Sequence, residues 1–254
     1  FATQLGIPFI FAFIIGIILT GLLGFILERT FLRPMVGEPV FSVAVLTIGI
    51  DILLRVVLDN WIGINPKYMG DPFPSYGNFG SLNIGGLTVK YLEVTALITS
   101  LVLISILSVF FKRSKYGVAM RATSLDQEAA LAQGINVGRV FGLVWFIAGL
   151  LAAFAGFFIT GGFNTLTNTS FISALRALPA VVIGGLDSIT GAIIGSLIIG
   201  LTQAYVGYYQ FDIESAYNIK LGNGFSIVAP YLIMFVILLV KPHGLFGTEE
   251  VERV

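Results

Sequence analysis

The uncharged apolar run PFIFAFIIGIILTGLLGFIL at 8–27 constrains this chain more than any other feature. About 20 such residues in helix cross the roughly 30 Å hydrocarbon core of a bilayer, and a helix apolar on all sides suits lipid better than a soluble surface. Comparable runs recur at 94–111, 140–160 and 189–207, with a shorter one at 225–240. Composition agrees: 56% of the 254 residues are hydrophobic and 11% are charged, whereas a soluble domain carries about a quarter charged residues. The expected fold class is therefore an all-α polytopic membrane protein, a single transmembrane domain over 1–254. Two further segments carry features that predict broken or re-entrant helices, tolerated at membrane depth only where protein lines them. Residues 40–58 contain Asp51 and Arg55, and 171–186 contain Arg176 and Pro179.

The charges give the bundle a direction. Short cytoplasmic loops carry an excess of Lys and Arg. Arg29 and Arg33 follow the first run, Lys112, Arg113, Lys115, Arg121 and Arg139 lie between the runs at 94–111 and 140–160, and Lys241 and Arg253 follow the last. With these nine inside, Lys67, Lys90 and Lys220 fall outside, and the alternation of seven segments places the C-terminus in the cytoplasm. Residues 59–90 become an external loop, whose SLNIGGLTV portion predicts a hairpin turning at Gly85 and Gly86. Asn164, Thr165, Thr167 and Asn168 are a polar loop on the same side, either solvated or touched by a binding protein. The formal net charge of zero gives no bulk attraction to nucleic acid. No Cys occurs, so neither a disulfide framework nor a thiolate metal site is expected, and no other metal site is apparent.

Small residues mark predicted helix-packing faces, because they let backbones approach where lipid removes the hydrophobic drive. Ser188, Ala192, Ser196, Gly200 and Ala204 recur every fourth position, with Gly191 and Gly195 beside them. Gly149 with Ala153, and Ala152 with Gly156, repeat the pattern in the preceding run. Contact within one subunit outweighs a pore lining as the reading of these faces.

The longest cytoplasmic connection, 112–139, holds the most specific pattern. Ser124 followed by Gln127 has capping-box spacing, so a helix is expected to begin near Leu125. Gly134 and Asn136 supply its stop, which leaves a helix near 125–133 that must pack on something to be stable. Leu125, Ala129 and Ala132 share one face. From composition alone this is a connector on the bundle's own surface.

The residues shift that weighting. EAALAQG at 128–134 fits the E-A-A-x-x-x-G pattern of the cytoplasmic loop in ABC importer permeases. ERTFLRP at 28–34, ALPAVVIGGLDSITGAIIGSLIIG at 177–200 and VKPHGLFG at 240–247 accompany it. Together, over most of the chain, these passages resemble the permease family of branched-chain amino acid ABC importers, which includes urea and short-amide relatives. The resemblance implies the larger-bundle, type II-like importer permease fold. It also implies a coupling helix at Ser124, Leu125, Asp126, Glu128, Ala129, Ala130 and Gly134 that docks on an ATPase subunit, a second permease subunit, and an extracytoplasmic solute-binding protein. It implies import across the inner (plasma) membrane, and a further N-terminal span ahead of Phe1. The hydrophobic-Pro ending that some ABC permeases place after the glycine is absent; Phe146 and Ile147 occupy that region. Independently of the resemblance, no G-x-x-x-x-G-K-[ST] phosphate loop occurs, so no cofactor is expected on this chain and partner ATPases would use the ATP.

Asp51 and Arg55 lie four apart on one helix face and predict an ion pair. Either they neutralise each other locally or, with Arg176, they border the solute path, since intramembrane ionisable groups usually face a cavity. Arg176 either snorkels to the outer interface or lines that path. Asp187, in a Gly-rich turn, is expected to cap the following helix. Two other classes compete with a permease. An intramembrane aspartyl protease using Asp51 and Asp187 lacks the G-x-G-D arrangement, and the single His243 is poorly placed for a serine mechanism. A passive channel for a small polar solute lacks both Asn-Pro-Ala boxes and a duplicated half. Substrate identity is not legible in these residues.

Overall fold

A computed structural model describes residues 8–63, 65, 67–68, 81–84, 87–163, 165–166, 172–175, 177–218, 222 and 224–247. The chain divides into two compact units, Phe1–Asn168 and Thr169–Val254. Among the described residues, five helices are long and apolar enough to cross a membrane.

In the first unit, α1 (Phe9–Leu27) runs into a π-helical turn at Glu28–Leu32 and a 3-10 turn at Arg33–Met35. Helix α2 (Val40–Ile62) follows. Strands β1 (Lys67–Tyr68), β2 (Ser81–Ile84) and β3 (Leu87–Lys90) precede α3 (Tyr91–Arg113), α4 (Lys115–Leu125), α5 (Gln127–Ala132), α6 (Val137–Phe163) and β4 (Thr165–Leu166). β2 and β3 form the expected antiparallel hairpin, Ser81 opposite Lys90; Gly85 and Gly86 lie outside the described residues. β1 pairs antiparallel with β4.

The α1/α6 pair is the spine of this unit. A Cβ at Gly24 would lie 2.5 Å from the Trp145 carbonyl oxygen, and one at Gly149 would lie 2.5 Å from that of Thr20. The two backbones are therefore in contact at Gly24 and Gly149, the close approach that small residues permit. Toward the opposite end Phe13 packs on Phe154 and Phe157, with ring centroids 5.5 and 4.7 Å apart. Of the paired positions on α6, Gly149 makes such an approach, while Ala152 and Gly156 are exposed and a Cβ at Gly156 would meet nothing within 4 Å.

Two expectations for this unit are corrected. The segment carrying Asp51 and Arg55 is not broken: α2 is continuous over 23 residues, about 34 Å. Neither side chain withdraws a backbone hydrogen bond, and each neutralises the other in place. The helix stops at Gly63, φ +92°, so the loop expected over 59–90 begins there and Asp59–Ile62 belong to α2.

The second unit holds two short helices, α7 (Ile172–Leu175) and α8 (Ala177–Gly184), then α9 (Ile189–Tyr217) and α10 (Phe225–Val240). Over 171–186, expected to hold a broken or re-entrant helix, α8 ends at Gly184 with Pro179 buried inside it, and Arg176 lies outside the described residues. α8 packs on α9 through Gly184, Gly191 and Gly195, where any Cβ would collide with backbone. Around this crossing Ala180, Ile183 and Ile199 form a buried cluster with Ile233 and Ile237 of α10 against it. The every-fourth-residue stripe is not the packed face. Ser196, Gly200 and Ala204 are exposed, Ala192 is half-buried, and the contact falls on the adjacent Gly191 and Gly195. Ser188 is instead the N-cap of α9, its Oγ accepting from the Gly191 N–H at 3.0 Å, which is the role expected of Asp187. Asp187 is one residue too early in the turn to cap.

After α10, the backbone N–H groups of Leu245 and Phe246 donate to the carbonyls of Ile183 and Gly184 at 2.7 and 3.1 Å. These carbonyls close α8, whose last turn has no continuing helix to satisfy them. The IGGLDS and VKPHGLFG passages therefore form one structure. At the far end of α9, buried Gln210 donates to the Gly222 carbonyl at 2.7 Å, tying the α9–α10 connection.

Candidate functional site

Three helix starts in the first unit follow one rule: a polar side chain accepts from the backbone N–H three residues on, satisfying a donor that the helix cannot. Ser114 does this for α4, accepting from Gly117 at 2.9 Å. Asp126 does it for α5, accepting from Ala129 at 3.0 Å, and Asn136 for α6, accepting from Arg139 at 3.0 Å. The cap of the short helix is thus Asp126, not Ser124. Ser124 belongs to α4, where its hydroxyl donates to the Arg121 carbonyl at 2.9 Å. Leu125 ends α4, so the helix has six residues, about 9 Å, rather than the longer one expected near 125–133.

Its stop lies at the expected glycine. The Gly134 N–H donates to the Leu131 carbonyl at 2.9 Å, the Ile135 N–H donates to that of Ala130 at 3.0 Å, and Gly134 has φ +79°. This double closure requires a left-handed residue, which glycine adopts without strain. Capped at both ends, α5 is held although it is far too short to be stable alone. Ala130 is 3% exposed and seats it, whereas Leu125 and Leu131 are 87% and 58% exposed. Glu128 and Ala129 lie on the open side. The loop therefore offers an apolar and acidic ridge on a rigid frame.

Behind the ridge is a cavity of about 530 Å³, lined in part by Glu28, Leu32, Thr47, Gln127, Phe141 and Trp145. Glu28 is 1% exposed, and its carboxylate oxygens have no hydrogen-bond partner among the described residues. Arg33 Nε stands 3.6 Å away. The π turn makes this pairing possible, because its wider winding brings residues five apart onto one face. Gln127, the first residue of α5, borders the same space, so the short helix and the end of α1 share a wall. Glu28 was not singled out from sequence; the signal was an acid directly after the first apolar run, with arginines one and five residues on.

Asp51 and Arg55 are near the middle of α2, joined by two hydrogen bonds of 2.8 and 2.9 Å from Nε and Nη2 to the two carboxylate oxygens. This bidentate arrangement is the strong form of the pair. The two side chains are 55% and 25% exposed and do not line the Glu28 cavity. Among the described residues no three His, Cys, Asp or Glu come together as a metal site.

Residues 1–240 match the family described as branched-chain amino acid transport system, permease component. The chain belongs to that permease family. It is 30% identical over 248 residues to the high-affinity branched-chain amino acid transport system permease protein LivH of Salmonella typhimurium, covering 95% of this chain and 75% of the relative. It is 27% identical to the corresponding protein BraD of Pseudomonas aeruginosa, covering 96% and 76%. A galactose/methyl galactoside import permease, MglC of Haemophilus influenzae, is 30% identical over 54% of this chain and 44% of its own length. No solved structure matches. The permease is thus a multi-pass membrane protein and a transport subunit, not an enzyme, and permeases of this ABC kind work with other subunits. The protease reading falls with it, and Asp51 is already engaged by Arg55.

Proposed function

We propose that this permease forms the solute path of an ATP-driven importer of branched-chain or related amino acids, and that α5 docks on a separate ATPase subunit. What supports the docking role is α5 itself. A six-residue helix fixed by Asp126 and by Gly134 presents Leu125, Glu128 and Leu131 to an occupant that the described residues do not provide. Gln127 carries the contact inward to the Glu28 cavity, so a push on the ridge reaches the turn between α1 and α2.

The same reading places the α5 end of the first unit in the cytoplasm. Arg33 lies against Gly138 at the start of α6, and Leu92 of α3 lies against Gly161 near its finish. Helices α1 and α3 therefore both end where α6 begins, which gathers Arg29, Arg33, Lys112, Arg113, Lys115, Arg121 and Arg139 at one end, as cytoplasmic loops require. A second permease subunit and an extracytoplasmic solute-binding protein complete the assembly. The branched-chain substrate class follows the printed function of the relatives.

The test is made on the importer reconstituted with its ATPases and binding protein. Glu128→Arg should remove most solute-stimulated ATPase activity while the permease remains folded and inserted. Full stimulation in that variant would defeat the docking role.

A further inference from the structure

Beside the Glu28 cavity, on the other flank of the α1/α6 pair, lies a second hollow of about 600 Å³. Its rim is Arg29, Arg33 and Arg139 with Asn136, and its walls are Leu22 and Phe25 of α1 and Leu143 and Phe146 of α6. No acidic residue lines it. Arg33 is offset by Glu28 at 3.6 Å, whereas Arg29 and Arg139 form no ion pair among the described residues and are exposed. Asn136 caps α6 with its side chain and so fixes the backbone from which Arg139 projects. Two surplus cations thus stand over an apolar cleft.

The geometry of that cleft selects its occupant. Leu22 is seven residues before Arg29, and Phe146 seven after Arg139. By the helical rise each wall descends about 10 Å from the basic rim into the apolar layer. A free phosphate or a nucleotide would satisfy the rim and leave the walls unused, and a neutral acyl chain would do the reverse. We infer that this hollow is a binding site for one anionic phospholipid, its phosphodiester between Arg29 and Arg139 and an acyl chain along Leu22, Phe25, Leu143 and Phe146. Basic pockets beside membrane helices at the headgroup level take such lipids. The inference needs the chain to span a membrane and is independent of the docking role of α5.

The complete importer is reconstituted in phosphatidylcholine nanodiscs and exposed to photoactivatable phosphatidylglycerol or phosphatidylcholine of matched chain length, and labelled peptides are identified by mass spectrometry. At roughly one factor of five per basic residue, two arginines give a preference of roughly twenty-five-fold for phosphatidylglycerol on the peptides holding Leu22–Arg33 and Asn136–Phe146. Unlabelled phosphatidylglycerol should compete the signal away and phosphatidylcholine should not, a readout that needs no variant. Arg29→Gln with Arg139→Gln should bring the labelling down to the phosphatidylcholine level, while Lys112→Gln with Lys115→Gln, basic positions off the rim, should leave it intact. Equal labelling by the two probes, competition by inorganic phosphate alone, or cross-linking of this face to another subunit would each overturn the assignment.

Discussion

At the residue scale, two glycines in the spine show how narrow the tolerances are. Gly149 meets backbone, and Gly156, seven residues on, meets nothing within 4 Å. Overpacking a tight contact costs about 1–3 kcal/mol or more. Gly149→Leu is therefore expected to lower the unfolding temperature of the purified complex by several degrees, with Gly156→Leu near wild type; equal shifts would contradict the packing. Both glycines look alike in the sequence, because helical periodicity says which residues share a face and not which face finds a neighbour. The same limit explains the Ser196, Gly200 and Ala204 stripe, whose regular spacing lies just beside the packed Gly191 and Gly195.

At the scale of elements, the loop between α3 and α6 is legible in kind and not in detail. Its glycine stop at Gly134 was readable because the left-handed closure has so few residue choices. Its start was not, since Ser124 and Asp126 are both good caps and the choice depends on how far α4 continues. Asp126→Ala removes the side-chain acceptor for the Ala129 N–H, worth about 1 kcal/mol, and should weaken solute-stimulated ATPase activity in proteoliposomes. Ser124→Ala, which loses only a bond within α4, should not; the reverse order would restore Ser124 as the cap. The continuity of α2 was hidden for another reason. A charge at membrane depth suggests a break, but Asp51 and Arg55 satisfy each other on one turn and leave the backbone helical. The π turn is illegible because nothing in its own residues, ERTFL, departs from ordinary helix composition, and Pro34 marks only the 3-10 turn that follows.

For the whole molecule, four of the five long helices correspond to the uncharged apolar runs at 8–27, 94–111, 140–160 and 189–207, whose length and lack of charge leave few alternatives, and the fifth is the charged α2. The absence of cysteine makes the proposed direction simple to measure. Single-cysteine variants Lys115→Cys and His243→Cys should react with an impermeant maleimide only from the cytoplasmic side of oriented vesicles, and Lys90→Cys only from the other. Labelling of Lys115→Cys and His243→Cys from opposite faces would overturn the proposed orientation. The contact between the end of α8 and the chain after α10 also sets an order of events during synthesis. The carbonyls of Ile183 and Gly184 receive their partners from Leu245 and Phe246, 62 residues later in each case. At ribosomal rates of about 5–20 residues per second, α8 waits roughly 3–12 s for them. The second unit therefore closes only once the chain has been made through Phe246, and an α8 left open reports a nascent chain that stopped short of it.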